Sequence, residues 1–469
     1  MKGAPVPLAR LLGVGGVYYR VPGEEEEAIS RPQGKLLAVD DDGAVSRRTA
    51  FGNKNIAHHG AVLYTRLKVF ILPAIIQDGF AAVRRFVIFV KHKTSVKQQI
   101  EENKEQICVA NLLFVRYNDY TTFTKEMQPM QKNKLNIAVI GCCYMARLHM
   151  KGVLSKEGAE LYAVCDIHPE QIEAALKEIP CERTTTDWRT LVDDPAIDAV
   201  IIVTPDGFHR EMTEAFLRAG KDVLCEKPMA LTLPECEAMM RAEKESGRRL
   251  MIGQVCRCTP AFMMAKDIVA SGRIGELIFV ESEYAHNYTH ARGIDDWRIS
   301  PERHAFIGGG CHAVDLLRWI AGDPTEVYAL ANHKVMLDWP VDDTSVAIYR
   351  FPNGVPGKVF VSIGIKRDYT MRSVFCGTKG TIICDNTSPT ITLYEENEAG
   401  EGYTEGKQLP VEVNNHNINA EVHLFIDAIL NDTPLPVTSY EGAATVAVCC
   451  ATVRSVAEGK PIAIRYPEV

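Results

Sequence analysis

At 469 residues the chain can build two or three domains, each with its own hydrophobic core. Its 46 % apolar and 24 % charged residues belong to an ordinary globular protein, and a net charge of −8 argues against nucleic acid or an anionic membrane surface as the main partner. No uncharged apolar run reaches the roughly eighteen residues of a membrane span, and the first residues lack the basic–apolar–small order of an export signal. No membrane partner and a cytoplasmic location are therefore expected.

Residues 1–134 differ from the rest of the chain. They carry 20 Lys+Arg against 13 Asp+Glu, whereas the remainder is acidic. No helical or strand period persists through them. They are expected to be an irregular, poorly ordered N-terminal extension, or upstream sequence read from too early a start, and not a domain.

From residue 135 the pattern alternates. Residues 135–140 read as an apolar strand, 144–156 as a helix, and 160–165 as a second strand ending in Asp166. Next come a helix over 169–177, a strand over 199–203, a helix over 211–219, a strand over 222–225, a helix over 233–246 and a strand over 249–255. Strands apolar on both faces, separated by helices, indicate a parallel sheet covered on both sides. Residues 135–258 are thus expected to form an α/β Rossmann domain with a doubly wound parallel sheet.

Beyond Thr259 the texture changes. Residues 277–282, 344–351, 358–363 and 391–394 alternate or carry β-branched side chains, with Pro352-Asn-Gly354 as a turn. Helices are expected over 260–271, 312–321, 421–430 and 443–458. Strands grouped together with few helices between them predict, for residues 259–469, an α+β domain with an open, mostly antiparallel sheet. The 14 cysteines are scattered, and several lie in apolar runs, as buried thiols of a reducing compartment do. Cys256-x-Cys258 and the Cys142-Cys143 pair lack the C-x₂-C spacing of zinc sites, so no metal is expected.

The first strand opens into Gly141-Cys142-Cys143-Tyr144-Met145-Ala146. The dinucleotide fingerprint wants glycine at its first and third positions and glycine or alanine at its sixth. Gly141 and Ala146 fit, and Cys143 stands where glycine would let backbone approach a pyrophosphate. Asp166, 25 residues after Gly141, suits the carboxylate that takes the ribose hydroxyls, with Ile167 beside it. A carboxylate there repels a 2′-phosphate and favours NAD(H) over NADP(H); the competing role is a cap on the following helix. Thr204, Pro205 and His209 should line the same crevice.

Glu226-Lys227-Pro228 ends another apolar strand, where open α/β sheets do their chemistry. Far along the chain, Gly308-Gly-Gly310 precedes His312, with Asp315 three residues later, able to orient the ring or a substrate hydroxyl. A lone helix-start histidine is commonly a cap or surface residue; the glycine triplet and the nucleotide fold raise the case for chemistry.

Taken together, Ile137-Ala-Val-Ile-Gly141, Val203-Thr-Pro205, Cys225-Glu-Lys-Pro228, Ser271-Gly-Arg-Ile-Gly275, the glycine–histidine–aspartate segment and Gly377-Thr-Lys-Gly-Thr381 resemble the Gfo/Idh/MocA family of NAD(P)-dependent sugar and polyol oxidoreductases. The resemblance covers residues 135 to about 465. It implies that Lys227 bonds the reacting oxygen and, with Glu226, touches the cofactor, and that His312 exchanges the substrate proton. Many members carry an aspartate four residues before that histidine; here the position is Gly308. Tyr284, Trp297 and Arg298, with Arg257 at the domain junction and His312, would line the substrate pocket, aromatic faces suiting a sugar ring and arginines an oxygen acceptor. A homo-dimer or homo-tetramer is implied. The sequence leaves open two other readings, an NAD-dependent glycosidase working by oxidation and elimination, and an NAD(H)-binding sensor without turnover.

Overall fold

The computed structural model describes residues 134–468 and, ahead of them, only the backbone of short strands such as Arg85–Val90 and Asn111–Arg116, which pair in parallel. The chain divides at residues 131 and 132 into two units. The expectation of an irregular extension over residues 1–134 lies outside the described residues.

The second unit opens with six parallel strands. They are β1 (Leu135–Ile140), β2 (Ala159–Cys165), β3 (Thr184–Thr185), β4 (Ala199–Ile202), β5 (Asp222–Glu226) and β6 (Leu250–Gly253). Their order is β3-β2-β1-β4-β5-β6, the doubly wound arrangement whose strand order reverses beside β1 and opens a crevice at the carboxyl ends. Every residue of β4, β5 and β6 is buried, which is why these strands read as apolar runs, with charge only at the two ends of β5.

Helices α1 (Tyr144–Leu154), α2 (Pro169–Leu176), α3 (Arg189–Val192), α4 (His209–Arg218) and α5 (Leu233–Ser246) connect them. Local chemistry sets the ends of α5. The Thr232 hydroxyl accepts from the Glu235 N–H and donates to its carboxylate, and Gly247 takes a left-handed φ of 65° after the last turn. The strand expected over 249–255 stops at Gly253, because residues 255–258 tighten into a 3₁₀ turn.

The second half forms a nine-stranded sheet. Its strands are β7 (Leu277–Ala285), β8 (Glu326–Asn332), β9 (Thr344–Arg350), β10 (Pro356–Ser362), β11 (Arg372–Gly377), β12 (Gly380–Asp385), β13 (Thr390–Glu395), β14 (Lys407–Pro410) and β15 (Ile462–Ala463). All neighbouring pairs are antiparallel except β7–β10, in the order β14-β13-β12-β11-β7-β10-β9-β8-β15. The α+β expectation holds, with more strands than the patterning showed. Helices α6 (Pro260–Ala270), α7 (Ala305–Gly308), α8 (Cys311–Ala321), α9 (Ile418–Leu430) and α10 (Ser439–Glu458) complete it. Helix α9 returns to pack on α1, and α10 packs on both α5 and β8, so one continuous core joins the halves.

Candidate active site

The crevice is built at the carboxyl ends of β1, β2, β4 and β5. Gly141 turns the chain at φ 104°, and a Cβ there would collide with the Val203 carbonyl oxygen at the end of β4, so only glycine fits. Helix α1 then starts with no acidic residue in its first turn and no side-chain cap, leaving its N–H groups and positive end for an anion. The Cys143 thiol leans toward Val203 O at 4.0 Å, while Ala146 is wholly buried against the sheet. Thr204 and Pro205 are half-buried at the crevice, as is Met145.

Asp166 accepts the Cys142 N–H at 2.8 Å and the His168 N–H at 2.9 Å. It therefore orders the turn and does not cap α2, whose N-cap is His168. Each carboxylate oxygen keeps a lone pair for a ribose hydroxyl. Ile167 and Tyr144, 73 % and 72 % exposed, give the crevice lip an open apolar surface.

His209 is placed differently from expectation. It is fully buried, with Nδ1 2.8 Å from Pro228 O and Nε2 3.0 Å from Thr204 O. Two carbonyl partners leave no ring nitrogen for a cofactor. The imidazole ties the loop after β4 to the loop after β5, which carries Lys227 across a cis bond to Pro228.

Glu226 is likewise buried beneath the crevice. Its carboxylate meets His149 Nε2 at 2.9 Å and accepts the Lys227 N–H at 3.0 Å. Burial is the largest influence and opposes its charge, but the hydrogen bonds and charges of His149 and Lys227 together outweigh burial and hold it down to about 2. It fixes the backbone under Lys227. Lys227 itself lies deep in the crevice yet still meets solvent. Burial disfavours its ammonium; Cys311, Glu226, Tyr288 and Asp206 more than offset this and raise it above the ordinary lysine value. Because burial pushes the Cys311 thiol up to about 11, the charges that sustain Lys227 at neutral pH are Glu226 and Asp206.

His312 sits in the first turn of α8, 2 % exposed. Burial, then the Lys227 charge, hold it well below 6.5, so its ring is neutral. Its Nδ1 lies 3.2 Å from Cys256 Sγ, and its face stacks on Tyr284 with centroids 6.0 Å apart. Around it stand His286, Tyr288, Tyr369 and His416, linked by edge-to-face and tilted ring contacts and through the Tyr284–Tyr288 hydroxyl contact of 2.8 Å. His286 and His416 are both lowered to about 4, by burial first and then by neighbouring cations that include Lys227.

Asp315 and Arg257 do not face this pocket. Arg257 grips Asp315 with two bonds, Nε to Oδ2 at 2.8 Å and Nη2 to Oδ1 at 2.7 Å, and also reaches Glu441 at 2.5 Å. Thr445 completes the carboxylate shell at 3.1 Å. Although it stands only three residues after His312, Asp315 is held by Arg257 and by Thr445 of α10, so the pair joins the domains and offers nothing to a substrate.

Residues 135–254 match the family model of the Gfo/Idh/MocA oxidoreductases, described by its NAD-binding Rossmann fold, and residues 262–383 match the Gfo/Idh/MocA C-terminal domain. Inositol 2-dehydrogenase 2 of Saccharopolyspora erythraea is 30 % identical over 332 residues, 69 % of this chain and 94 % of that protein. The chain belongs to the Gfo/Idh/MocA family. The 1,5-anhydro-D-fructose reductase of Ensifer adhaerens is 31 % identical over 334 residues, 69 % of this chain and 96 % of that one. Levoglucosan dehydrogenase in complex with NADH shares the fold, at a TM-score of 0.66 and 22 % identity, over 71 % of this chain and 100 % of that chain.

For a Gfo/Idh/MocA protein with an NAD-binding Rossmann domain, the crevice fits its cofactor: a glycine turn without room for a Cβ, an unneutralised helix start and the Asp166 carboxylate. Asp166→Ala is expected to raise the Kd for NADH about ten- to a hundredfold, the weight of one or two hydrogen bonds to a charged group. A fluorescence titration checks this; an unchanged Kd would remove Asp166 from the site.

The departure from the Gfo/Idh/MocA pattern at Gly308 has a spatial cause. The Arg303 guanidinium occupies the place a side chain at 308 would take. It donates to Asp206 Oδ2 at 2.6 Å and to Gly308 O at 3.1 Å, and it lies over Trp297 at 4.9 Å, with Arg298 on the same ring at 4.4 Å. Gly309 lets the Tyr284 ring approach in the same way. Cys256, Tyr369 and His416 join the site without a sequence signal strong enough to place them there, whereas His286 and Tyr288 lie in the aromatic-rich stretch that starts at Tyr284. The spacing of Cys256 to Cys258 speaks only to zinc motifs, and Tyr369 and His416 stand alone in loops with no local pattern to mark them.

Proposed function

We propose that the chain transfers a hydride between NAD(H) and a secondary hydroxyl or carbonyl of a sugar, polyol or glycoside. The observation that carries this is the meeting, at the carboxyl edge of the nucleotide sheet, of a charged Lys227 and a neutral His312 in a pocket walled by aromatic rings. Gly141, the start of α1 and Asp166 would hold NAD, which when bound supplies the hydride-accepting or hydride-donating ring. Lys227 donates to the reacting oxygen and stabilises alkoxide character there. In oxidation His312 takes the hydroxyl proton at Nε2, with Nδ1–H turned to the Cys256 sulfur. In reduction it returns that proton.

Cys256 holds the His312 ring through one contact in both directions. Its sulfur lies 3.2 Å from His312 Nδ1 and 3.6 Å from Met371 Sδ. With the thiol proton toward Met371, the sulfur accepts from Nδ1–H and leaves Nε2 free as a base; once Nε2 has taken the substrate proton the ring is an imidazolium, and the same Nδ1–H to sulfur contact holds it while it returns that proton in reduction.

Since His312 is held well below 6.5, kcat/KM for alcohol oxidation should stay level as pH falls through 6.5 and drop only in more acidic solution. The sign comes from the direction of the shift: a depressed pKa keeps the basic ring dominant. A pH–rate profile with its limb at 6.5 or above would contradict it.

The reading is tested by offering NAD⁺ with a panel of sugars, polyols, sugar acids and glycosides and recording NADH absorbance. NADH formation from a free polyol supports it. Glycoside cleavage without net NADH points to oxidation and elimination, and NADH binding without any turnover to a sensor.

A second copy is proposed to cover the outer face of the nine-stranded sheet. Leu330 and Ile348 are each 57 % exposed, and Tyr328, opposite Ile348 in the ladder, is also open. Light scattering should give the mass of a dimer or tetramer. No helix among the described residues is long and apolar enough to cross a membrane, and a cytoplasmic site of action belongs to the same reading.

A further inference from the structure

The same pocket holds a set of soft metal ligands. Cys256 comes from the turn after β6, His312 from the start of α8 and His416 from the loop before α9. One donor atom from each, a sulfur and two imidazole nitrogens, lies within 4.8 Å of the others. Cys256 Sγ and His312 Nδ1 are 3.2 Å apart. A tetrahedral zinc site with ordinary bond lengths separates its sulfur and nitrogen ligands by about 3.6 Å and its two nitrogens by about 3.3 Å, so adjustments of up to about 1.5 Å would close the set. The Tyr369 hydroxyl lies 3.2 Å from His416 Nε2 and, with Nδ1 as the ligand atom, would be the outer partner that metal-bound histidines usually have.

We propose that Cys256, His312 and His416 form an inhibitory site for a soft divalent cation such as Zn²⁺, with a fourth position open to water or a substrate oxygen. Binding exchanges the thiol proton for the metal: the S–H bond breaks, the S–Zn bond forms, and the proton leaves to solvent. Lys227 opposes the cation, and the new thiolate offsets one of its two charges. Metal on Nδ1 obliges the neutral ring to carry its proton on Nε2, so His312 can no longer accept the substrate proton. The inhibitory consequence rests on the role given to His312; metal binding does not.

The test compares metal-free parent protein with Cys256→Ser and His416→Gln, each checked for NADH binding to show that the fold and cofactor site persist. Cd²⁺ is the first probe, because a cadmium–thiolate bond absorbs in the far ultraviolet whether or not the protein turns over. One equivalent of Cd²⁺ with that band in the parent, and its loss in Cys256→Ser, is expected. Zn²⁺ should then slow oxidation in the parent by about 10²-fold, the weight of a general base, with EDTA restoring the rate. Neither variant should respond to Zn²⁺ at the same concentration. A band that survives Cys256→Ser, or equal zinc sensitivity in parent and variants, overturns the proposal. A cadmium band in a protein that turns over no polyol leaves the metal site standing and counts against the dehydrogenase reading.

Discussion

Lys227→Met is expected to lower kcat/KM by about 10³-fold while NADH still binds, because the substitution removes the one cation aimed at the oxygen whose charge develops in the transition state. Methionine keeps the length and apolar stem of lysine, so packing at the end of β5 is preserved. The surroundings make the loss large. Glu226, fixed by His149 and by the Lys227 N–H, and Asp206, fixed by Arg303, support an ammonium that burial disfavours. Steady-state kinetics with a substrate found in the panel, beside an NADH titration, checks it. A variant that keeps a tenth of parental activity would show that His312 suffices, and would move Lys227 from the reacting oxygen to the frame around it.

Arg303→Ala is expected to destabilise the fold by about 3–5 kcal/mol, because it strands the Asp206 carboxylate in a buried site where both partners are 5 % exposed. Gly308→Asp should also destabilise, since its Cβ would need the space held by that guanidinium. Combined, the two changes should cost less than their sum: with Arg303 gone, position 308 has room for a side chain. Urea unfolding of the two single variants and the double one measures the coupling. Additivity to within about 0.5 kcal/mol would show that Arg303 and Gly308 do not compete for one volume.

Much of the site's scaffold was legible because its cause is local. Gly141 turns the chain where the next atoms are those of β4, Asp166 closes a strand, and Lys227 ends one; each is marked by the apolar run beside it. The two-domain α/β and α+β architecture comes from the same periodicities. The three charged residues assigned away from their observed partners failed for a common reason. His209, Asp315 and Arg257 are near the site in sequence terms, but an ionisable group inside a core must find a counter-charge or hydrogen-bond partner, and sequence spacing does not reveal which neighbour supplies it. His209 found two carbonyls, and Arg257 and Asp315 found each other across 58 positions.

The nucleotide fold, the turn at Gly141, the place of Asp166, and the lysine and histidine set at strand end and helix start were all written in the chain, since they depend on periodicity and on backbone positions within a few residues. Their surroundings came from tertiary packing alone. Packing put Arg303 where an aspartate at 308 would stand. It brought Cys256 to His312 from 56 positions before it, and His416 from a loop beyond the last of the paired hairpin strands, and it enclosed the imidazoles so that they stay neutral. Those are properties of burial and of distance between remote segments, and they exist only once the two halves share a core.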